Sequence, residues 1–244
     1  MTLTPPLRDA LDDLRGQVSG RVLASEDADF DEARAVWNAM IDPRPAAIVR
    51  AAGVGDIAPT IAFRRAHRLD LAVRGGGHNV AGAGTVEGGV VLDLGGLTAV
   101  LVDPEARTVR VQGGATLAHV DAATEPHGLV VPVGVVSGTG IAGLTLGGGV
   151  GWLTRPYRLA ADNLVAVEVV TADGQTVTAT QSQNPELFWA LHGGGGNFGV
   201  VSAPHSKLTR SARRCLPAAS PTARTAGDRP GLRSTSGPGT CPTR

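Results

Sequence analysis

Apolar residues recur at three- and four-residue spacing in the opening segment PPLRDALDDLRGQ, at Leu7, Ala10, Leu11 and Leu14, and predict a helix. A second helix is expected over DFDEARAVWNAM, residues 29–40, whose acidic start suits a helix N-terminus. RPAAIVRA (44–51) and DLAVRGGG (70–77) read as short strands. Between them VGDIAPTIAFRRAHRLD (54–70) reads as a helix with Pro59 in its first turns. These segments form a small αβαβ unit.

The period then changes. Residues 88–115, GGVVLDLGGLTAVLVDPEARTVRVQGGA, run in short β-branched stretches broken by glycine and by a DPEA turn. TLAHVDAATEPHG (116–128) predicts a short helix stopped by Pro126 and Gly128. LVAVEVVTADGQTVTAT (164–180) predicts two strands joined by a two-residue turn at Asp173-Gly174. PELFWALHG follows as a helix with Asn184 as its cap and Pro185 at its first position, and NFGVVSA (197–203) reads as a strand.

The last forty residues differ in kind. From His205 onward there is no Val, Ile, Phe, Trp, Tyr or Met, and only three leucines, too little apolar surface to offset the entropy of ordering the segment. This stretch holds eight Lys or Arg and one Asp, against fourteen basic and twenty-one acidic residues before it, so the net charge of +0 conceals a split. The segment is expected to be a disordered basic tail beginning at residue 205. A flexible tail, a nucleic-acid arm and out-of-frame translation of a GC-rich message are the three readings of it. The abrupt change near Ala203 favours the third, and the lack of any aromatic residue for base stacking counts against nucleic acid.

Composition narrows the chemistry. The 244 residues suffice for one large or two small domains. No apolar run approaches the ~20 residues of a membrane span, and the N-terminus lacks a basic-then-apolar leader, so a cytoplasmic location without a membrane partner is expected. Both cysteines, Cys215 and Cys241, lie in the tail, which leaves the first 204 residues no thiol for a zinc cluster or a nucleophile.

Candidate chemistry centres on glycine. AVRGGGHNVAG, residues 72–82, places three glycines directly before His78. It is not a dinucleotide fingerprint, because the third glycine of G-x-G-x-x-G is missing and no helical period follows; nor is it a P-loop, because no Gly-Lys-Ser/Thr follows. HGGGG at His192–Gly196 resembles an esterase oxyanion segment, but no G-x-S-x-G and triad lie downstream. His78, His119, His127 and His192 are too scattered for a metal site. What survives is a nest of backbone amides for a phosphate, with Arg74 as a fixed charge at its edge. Two further bare segments, VPVGVVSGTGIAGLTLGGGVGWL (131–153) and GGGGNFG (193–199), suggest backbone packed against a flat, extended ligand.

RGGGHN, VVSGTGIAGLTLGGGVGWLTRPY, LAADNLVAVEVVTADG and ELFWALHGGGGNFGVV together resemble the flavin-binding half of the vanillyl-alcohol-oxidase (PCMH-type) superfamily, above all its bacterial berberine-bridge-enzyme-like oxidoreductases. The resemblance runs from Arg34 to Ser202, in the family's order. It implies an α+β fold of two lobes, a small α/β lobe and one built on an antiparallel sheet, with FAD between them. A helical segment (1–33), the FAD-binding domain (34–204) and the tail (205–244) are the expected divisions.

The resemblance implies that Arg74, Gly75, Gly76, Gly77, His78 and Asn79 form the pyrophosphate loop, with Gly82 also a cofactor-binding position. His78 matches a histidine that in many members is bonded to the flavin 8α-methyl group, which tethers the cofactor and raises its reduction potential. Ser137, Gly138, Thr139 and Gly143 match a segment along the ring, and Val200 a final strand touching the cofactor. Val136 and Ser137 stand where some members place a second, cysteine link, so double attachment is not expected. Arg158 stands where members commonly have Gly, a departure expected to strain a loop near the flavin; His192 stands where Arg or Lys is usual. The implied reaction is hydride transfer from the C–H of a small-molecule substrate to FAD, with dioxygen reoxidising the flavin. The substrate domain that follows in family members, and its catalytic base, are not found, so no catalytic residue is named. A non-catalytic flavin-binding fragment is the alternative.

Overall fold

The computed structural model describes residues 5–211. In chain order the helices are α1 (Pro5–Gln17), α2 (Phe30–Arg34), α3 (Ile57–Ala66), α4 (Leu117–Thr124), α5 (Ile141–Leu146), α6 (Thr154–Tyr157) and α7 (Pro185–Ala190). The strands are β1 (Arg21–Leu23), β2 (Ala47–Arg50), β3 (Leu71–Arg74), β4 (Val90–Asp93), β5 (Val100–Asp103), β6 (Thr108–Val111), β7 (Leu129–Val130), β8 (Leu164–Val170), β9 (Thr176–Ala179), β10 (Val200–Lys207) and β11 (Thr209–Arg210).

The first lobe is a four-stranded sheet in the order β1-β2-β4-β3, with β2, β4 and β3 parallel and β1 antiparallel at the edge. The parallel strands read as continuous apolar runs because both faces are covered. On one face Leu11, Leu14, Ile57 and Ile61 of α1 and α3 pack on Val49, Val90 and Leu92; on the other Phe30 and Ala33 of α2 pack on Ile48 and Val91. Buried Asp56 fastens this lobe, its carboxylate accepting the backbone N–H groups of Ser19 (2.7 Å), Ala52 (2.7 Å) and Gly53 (3.2 Å).

The second lobe is a five-stranded antiparallel sheet, β5-β6-β10-β8-β9, backed by α4, α5 and α7. Val170 and Val200 at the near ends of β8 and β10 belong to the first lobe's core, which joins the two sheets. The expected α+β architecture of two lobes is thus what the chain adopts. Among the described residues no helix is long and apolar enough to cross a membrane.

Four expectations need correction. The helix expected over 29–40 ends at Arg34, because Ala35 turns extended (φ −61°, ψ 140°) and the Ala33 and Ala35 carbonyls are given to the Arg74 guanidinium. The β8–β9 turn is longer than two residues: Thr171 N–H bonds the Gln175 carbonyl at 2.9 Å, leaving Ala172–Gly174 as the loop. Asn184 makes no side-chain cap; its amide donates instead to the Thr178 carbonyl at 2.8 Å.

The tail boundary also moves. β10 runs on through Lys207, with Pro204 between two irregularities in its ladder with β8, where a missing N–H is tolerated, and Thr209–Arg210 pair with β7. Ser206 and Leu208 are buried there, and His205 joins an ion-paired cluster with Arg110 and Glu168, so cross-strand partners order a segment whose composition alone would not. The remainder of the expected tail, 212–244, lies outside the described residues, as do both cysteines.

Candidate functional site

The parallel strands β2, β3 and β4 end together, and the loop after β3 emerges at their carboxyl ends, where open α/β sheets hold ligands. That loop is Gly75-Gly76-Gly77-His78-Asn79. Arg74 just before it turns inward: its guanidinium donates to Asp93 Oδ2 at 2.9 Å, the Ala33 carbonyl at 2.6 Å and the Ala35 carbonyl at 3.3 Å, and the residue is buried. The fixed charge expected at the nest's edge is therefore spent on Asp93, and Arg74 acts as the post on which the loop stands. Nothing in the local sequence could show this, since Asp93 is nineteen residues away.

The loop itself is bare in a useful way. Among the described residues the N–H groups of Gly75, Gly76, Gly77, His78 and Asn79 donate to no protein acceptor. Five successive unpaired amides in a largely half-buried loop are what an anion would satisfy.

A cleft of about 600 Å3 opens over this loop, and all three glycine segments reach it. Its walls include Gly75–Asn79, then Thr139, Gly140 and Gly143, then Gly195, Gly196 and Asn197. The first two segments touch: a Cβ added at Gly76 would lie 2.3 Å from the Gly140 nitrogen, and one at Gly140 would lie 2.3 Å from that of Gly76. Glycine is required there by the backbone opposite.

Gly143 and Gly196 are different, because a Cβ at either would meet no protein atom within 4 Å and neither has a positive φ. No neighbour and no conformation demands glycine at these two cleft positions, and they leave that part of the wall without side chains. Among the lining residues the sole charged side chain is that of the neutralised Arg74. A flat ligand with an anionic linker fits such walls. FAD is of this kind.

Not every expected residue faces the cleft. Gly82 closes on the Ile41 side chain, 2.6 Å from its added Cβ, and serves a turn. Val200 is buried in the core between the sheets, and its neighbours Gly199 and Val201 line the cleft instead, a one-residue shift that the alternation of a strand converts to the opposite face. Ser137 and Gly138 are exposed and do not line the cleft. The Ser137 and Thr139 carbonyls accept the first N–H groups of α4, from Ala118 (2.9 Å) and Leu117 (2.9 Å), which holds this segment in place. A Cβ at Gly138 would come 3.6 Å from His78 Nε2. His192 bonds the Phe188 carbonyl through Nδ1 at 2.6 Å and lies outside the cleft wall.

Arg158, the non-glycine at an expected glycine position, has φ 67° and ψ −167°, a region essentially confined to glycine. The strain is held by Asn163, whose amide donates to the carbonyls of Tyr157 and Leu159, both at 2.8 Å. Arg158→Gly is expected to stabilise the protein by about 1 kcal/mol, the strain relieved less the entropy glycine adds. A urea melt of both forms checks it, and an unchanged or lower midpoint would contradict it.

An α+β domain whose bare backbone segments enclose an uncharged cleft with an amide nest at one end is a holder of a nucleotide-type cofactor. Residues 45–180 match the family described as the FAD binding domain, and the chain belongs to that family. It is 35% identical over 199 residues to (R)-6-hydroxynicotine oxidase of Paenarthrobacter nicotinovorans, covering 82% of this chain and 43% of that protein. With an FAD-linked oxidoreductase of Aspergillus terreus, pgmH, it shares 41% over 192 residues, 78% of this chain and 39% of the other. The fold superposes on crystalline 6-hydroxy-D-nicotine oxidase from Arthrobacter nicotinovorans with a TM-score of 0.79 at 34% identity, covering 86% of this chain and 44% of that one. With glucooligosaccharide oxidase from Acremonium strictum, described as carrying 6-S-cysteinyl, 8α-N1-histidyl FAD, the TM-score is 0.78 at 27% identity, covering 82% and 43%. The chain spans less than half the length of these relatives.

Proposed function

We infer that this chain is the flavin-holding portion of an FAD-dependent oxidoreductase that takes hydride from the C–H of a small-molecule substrate and passes the electrons to dioxygen. The observation that carries the reading is the meeting of three glycine segments on one uncharged cleft, with five successive free amides at its end. Bound FAD supplies the two-electron chemistry.

The chain's own residues do the rest. The amides of Gly75, Gly76, Gly77, His78 and Asn79 hold the diphosphate, needing no lysine because each N–H lacks a competing acceptor. Gly143 and Gly196 leave the walls flat for the ring system, and Thr139 and Gly140 complete that face.

His78 is the tether we assign to the flavin 8α carbon. Its Nδ1 lies 2.8 Å from the Gly76 carbonyl, and a carbonyl only accepts, so Nδ1 is the donor in that contact. Bonding of the ring to that carbon would release one proton from the imidazole, one from the methyl group and two electrons in all, which dioxygen would take up as hydrogen peroxide. With Val136 and Ser137 in place of a second tether, attachment is single.

Purified protein loaded with FAD and precipitated with acid is expected to keep its yellow colour in the pellet, and His78→Ala is expected to lose it to the supernatant. Protein that takes up no FAD at all would overturn the cofactor reading. Oxygen uptake with alcohols, sugars and amines tests turnover separately, and a flavin-loaded chain inert to all of them would be a flavin-binding fragment without catalysis.

A further inference from the structure

Asp93 is a charged residue that the cleft itself does not use. It lies outside the cleft wall, and its side chain is only 13% exposed. At the end of β4 it stands in register with Arg50 of β2 on one side and Arg74 of β3 on the other. That row lies two residues beyond the row of Ile48, Val91 and Ala72, and so on the face that α2 covers.

Each oxygen of the carboxylate has a partner. Oδ2 accepts from Arg74 at 2.9 Å, with the Arg50 guanidinium 3.8 Å away, and Oδ1 accepts the Gly95 N–H at 2.9 Å. Arg50 is more than a third exposed, so water screens it and Arg74 is the main counter-ion.

Arg74 in turn carries the glycine loop in two ways. Its aliphatic stem is the floor of the turn: a Cβ added at Gly77 would meet its Cδ at 3.6 Å, and one at Gly84 its Cγ at 3.6 Å. Its guanidinium binds the Ala33 and Ala35 carbonyls, and the strap that follows, residues 35–41, is tied back to the loop. Trp37 N–H donates to the Gly77 carbonyl at 3.1 Å, and Asn38 Nδ2 to the Val80 carbonyl at 2.8 Å. A trans peptide holds C=O and N–H opposed, so the Trp37 bond turns the His78 N–H away from the strap. Without Asp93 two neutral carbonyls would face a guanidinium that is 6% exposed, and a buried cation lacking its counter-ion turns to water. Arg74 already borders the cleft, which gives it a way out from beneath the loop.

We propose that Asp93 is a positioning residue for the anion nest: it holds Arg74 beneath the loop, and through Arg74 it sets the amides that receive the diphosphate. As regards the cofactor this rests on the reading above, but its first consequence is a property of the FAD-free chain.

The test uses the full chain as wild type, Asp93→Asn, Arg74→Met and the double variant. Asparagine keeps the size of the side chain and an acceptor for Gly95 but loses the charge, and methionine keeps most of the stem without the guanidinium. In FAD-free protein, 15N-resolved NMR is expected to show one set of amide signals for Gly75, Gly76, Gly77, His78 and Asn79 in wild type. In Asp93→Asn these signals are expected to broaden or double, while those of β8 and β9 stay in place. FAD affinity, read by flavin fluorescence quenching, is expected to fall about five- to thirtyfold in Asp93→Asn, the cost of fixing one further backbone residue on binding. Arg74→Met is expected to lose a similar amount and the double variant no more than either, because Asp93 acts only through Arg74. Unchanged loop signals in Asp93→Asn, FAD affinity that holds or rises, or losses that multiply in the double variant would each overturn the proposal. A rise would mean that the released Arg74 serves the phosphates itself. Should Asp93→Asn fail to fold, the double variant, which leaves neither charge buried without its partner, is compared with Arg74→Met. Equal FAD affinity then supports the proposal and a further loss overturns it. If wild type takes up no FAD, the cofactor reading falls, while the amide signals still decide what Asp93 does to the loop.

Discussion

Gly143→Leu is expected to weaken FAD binding by about five- to 150-fold, the 1–3 kcal/mol typical of forcing extra carbon atoms into an occupied space. The same change is expected to leave the FAD-free protein as stable as before, or up to about 0.8 kcal/mol more stable, because glycine inside a helix costs about that much. The opposite signs follow from geometry: Gly143 lies in α5 with helical backbone, lines the cleft, and has nothing within 4 Å of an added Cβ. Gly76→Ala is the contrast, since its Cβ would meet Gly140 backbone at 2.3 Å and the apoprotein itself must suffer. Flavin fluorescence quenching on titration with FAD measures the first quantity, and a urea melt without FAD measures the second. If Gly143→Leu bound FAD as wild type does, the cleft would not be the flavin site.

Glu168→Gln is expected to cost about 1–3 kcal/mol at pH 7, and the cost is expected to vanish in acid. Glu168 sits on β8 between two partners. Arg110 on β6 donates to both its oxygens, at 2.7 and 2.6 Å, and His205 Nε2 on β10 lies 2.8 Å from Oε1. All three side chains are less than a third exposed. The Arg110 hydrogen bonds, aided by His205, outweigh the burial penalty and hold the carboxyl down to about 2 from its ordinary 4.5. A carboxylate depressed in the folded state stabilises above its unfolded pKa and loses that contribution as pH falls through the folded one. Wild type should therefore lose stability between about pH 4.5 and 2, and Glu168→Gln should lack that part of the slope. Denaturant melts at pH 7, 4 and 2.5 read this directly; parallel pH profiles for the two forms would show that the cluster contributes nothing.

The same cluster explains where the sequence was misleading. Compositional reasoning places the end of the domain at residue 204 because the following stretch is polar, and polarity is a poor guide in a central strand whose polar groups are paired across it. His205 is ordered by Arg110 and Glu168, residues far away in the chain, and no local pattern announces them. The second helix failed for a related reason. DFDEARAVWNAM has helical period and an acidic start, yet the carbonyls of Ala33 and Ala35 find a stronger partner in a buried guanidinium. Arg158 is the opposite case: a resemblance flagged it as standing where glycine is usual, and its backbone indeed occupies a glycine region.

What the sequence by itself determined was the placing of most elements: strands from β-branched runs, a hairpin around Asp173-Gly174, and three segments without side chains, one leading into His78. Missing side chains are a property of the residue and need no partner to be recognised, and so the class of ligand was legible. What only the tertiary structure decided was direction. It turned Arg74 inward to Asp93, gave the cleft Val201 rather than Val200, and set Trp37 over His78. Each of these depends on contacts between chain-distant groups, and a side chain's facing is fixed only when the backbone opposite it is in place.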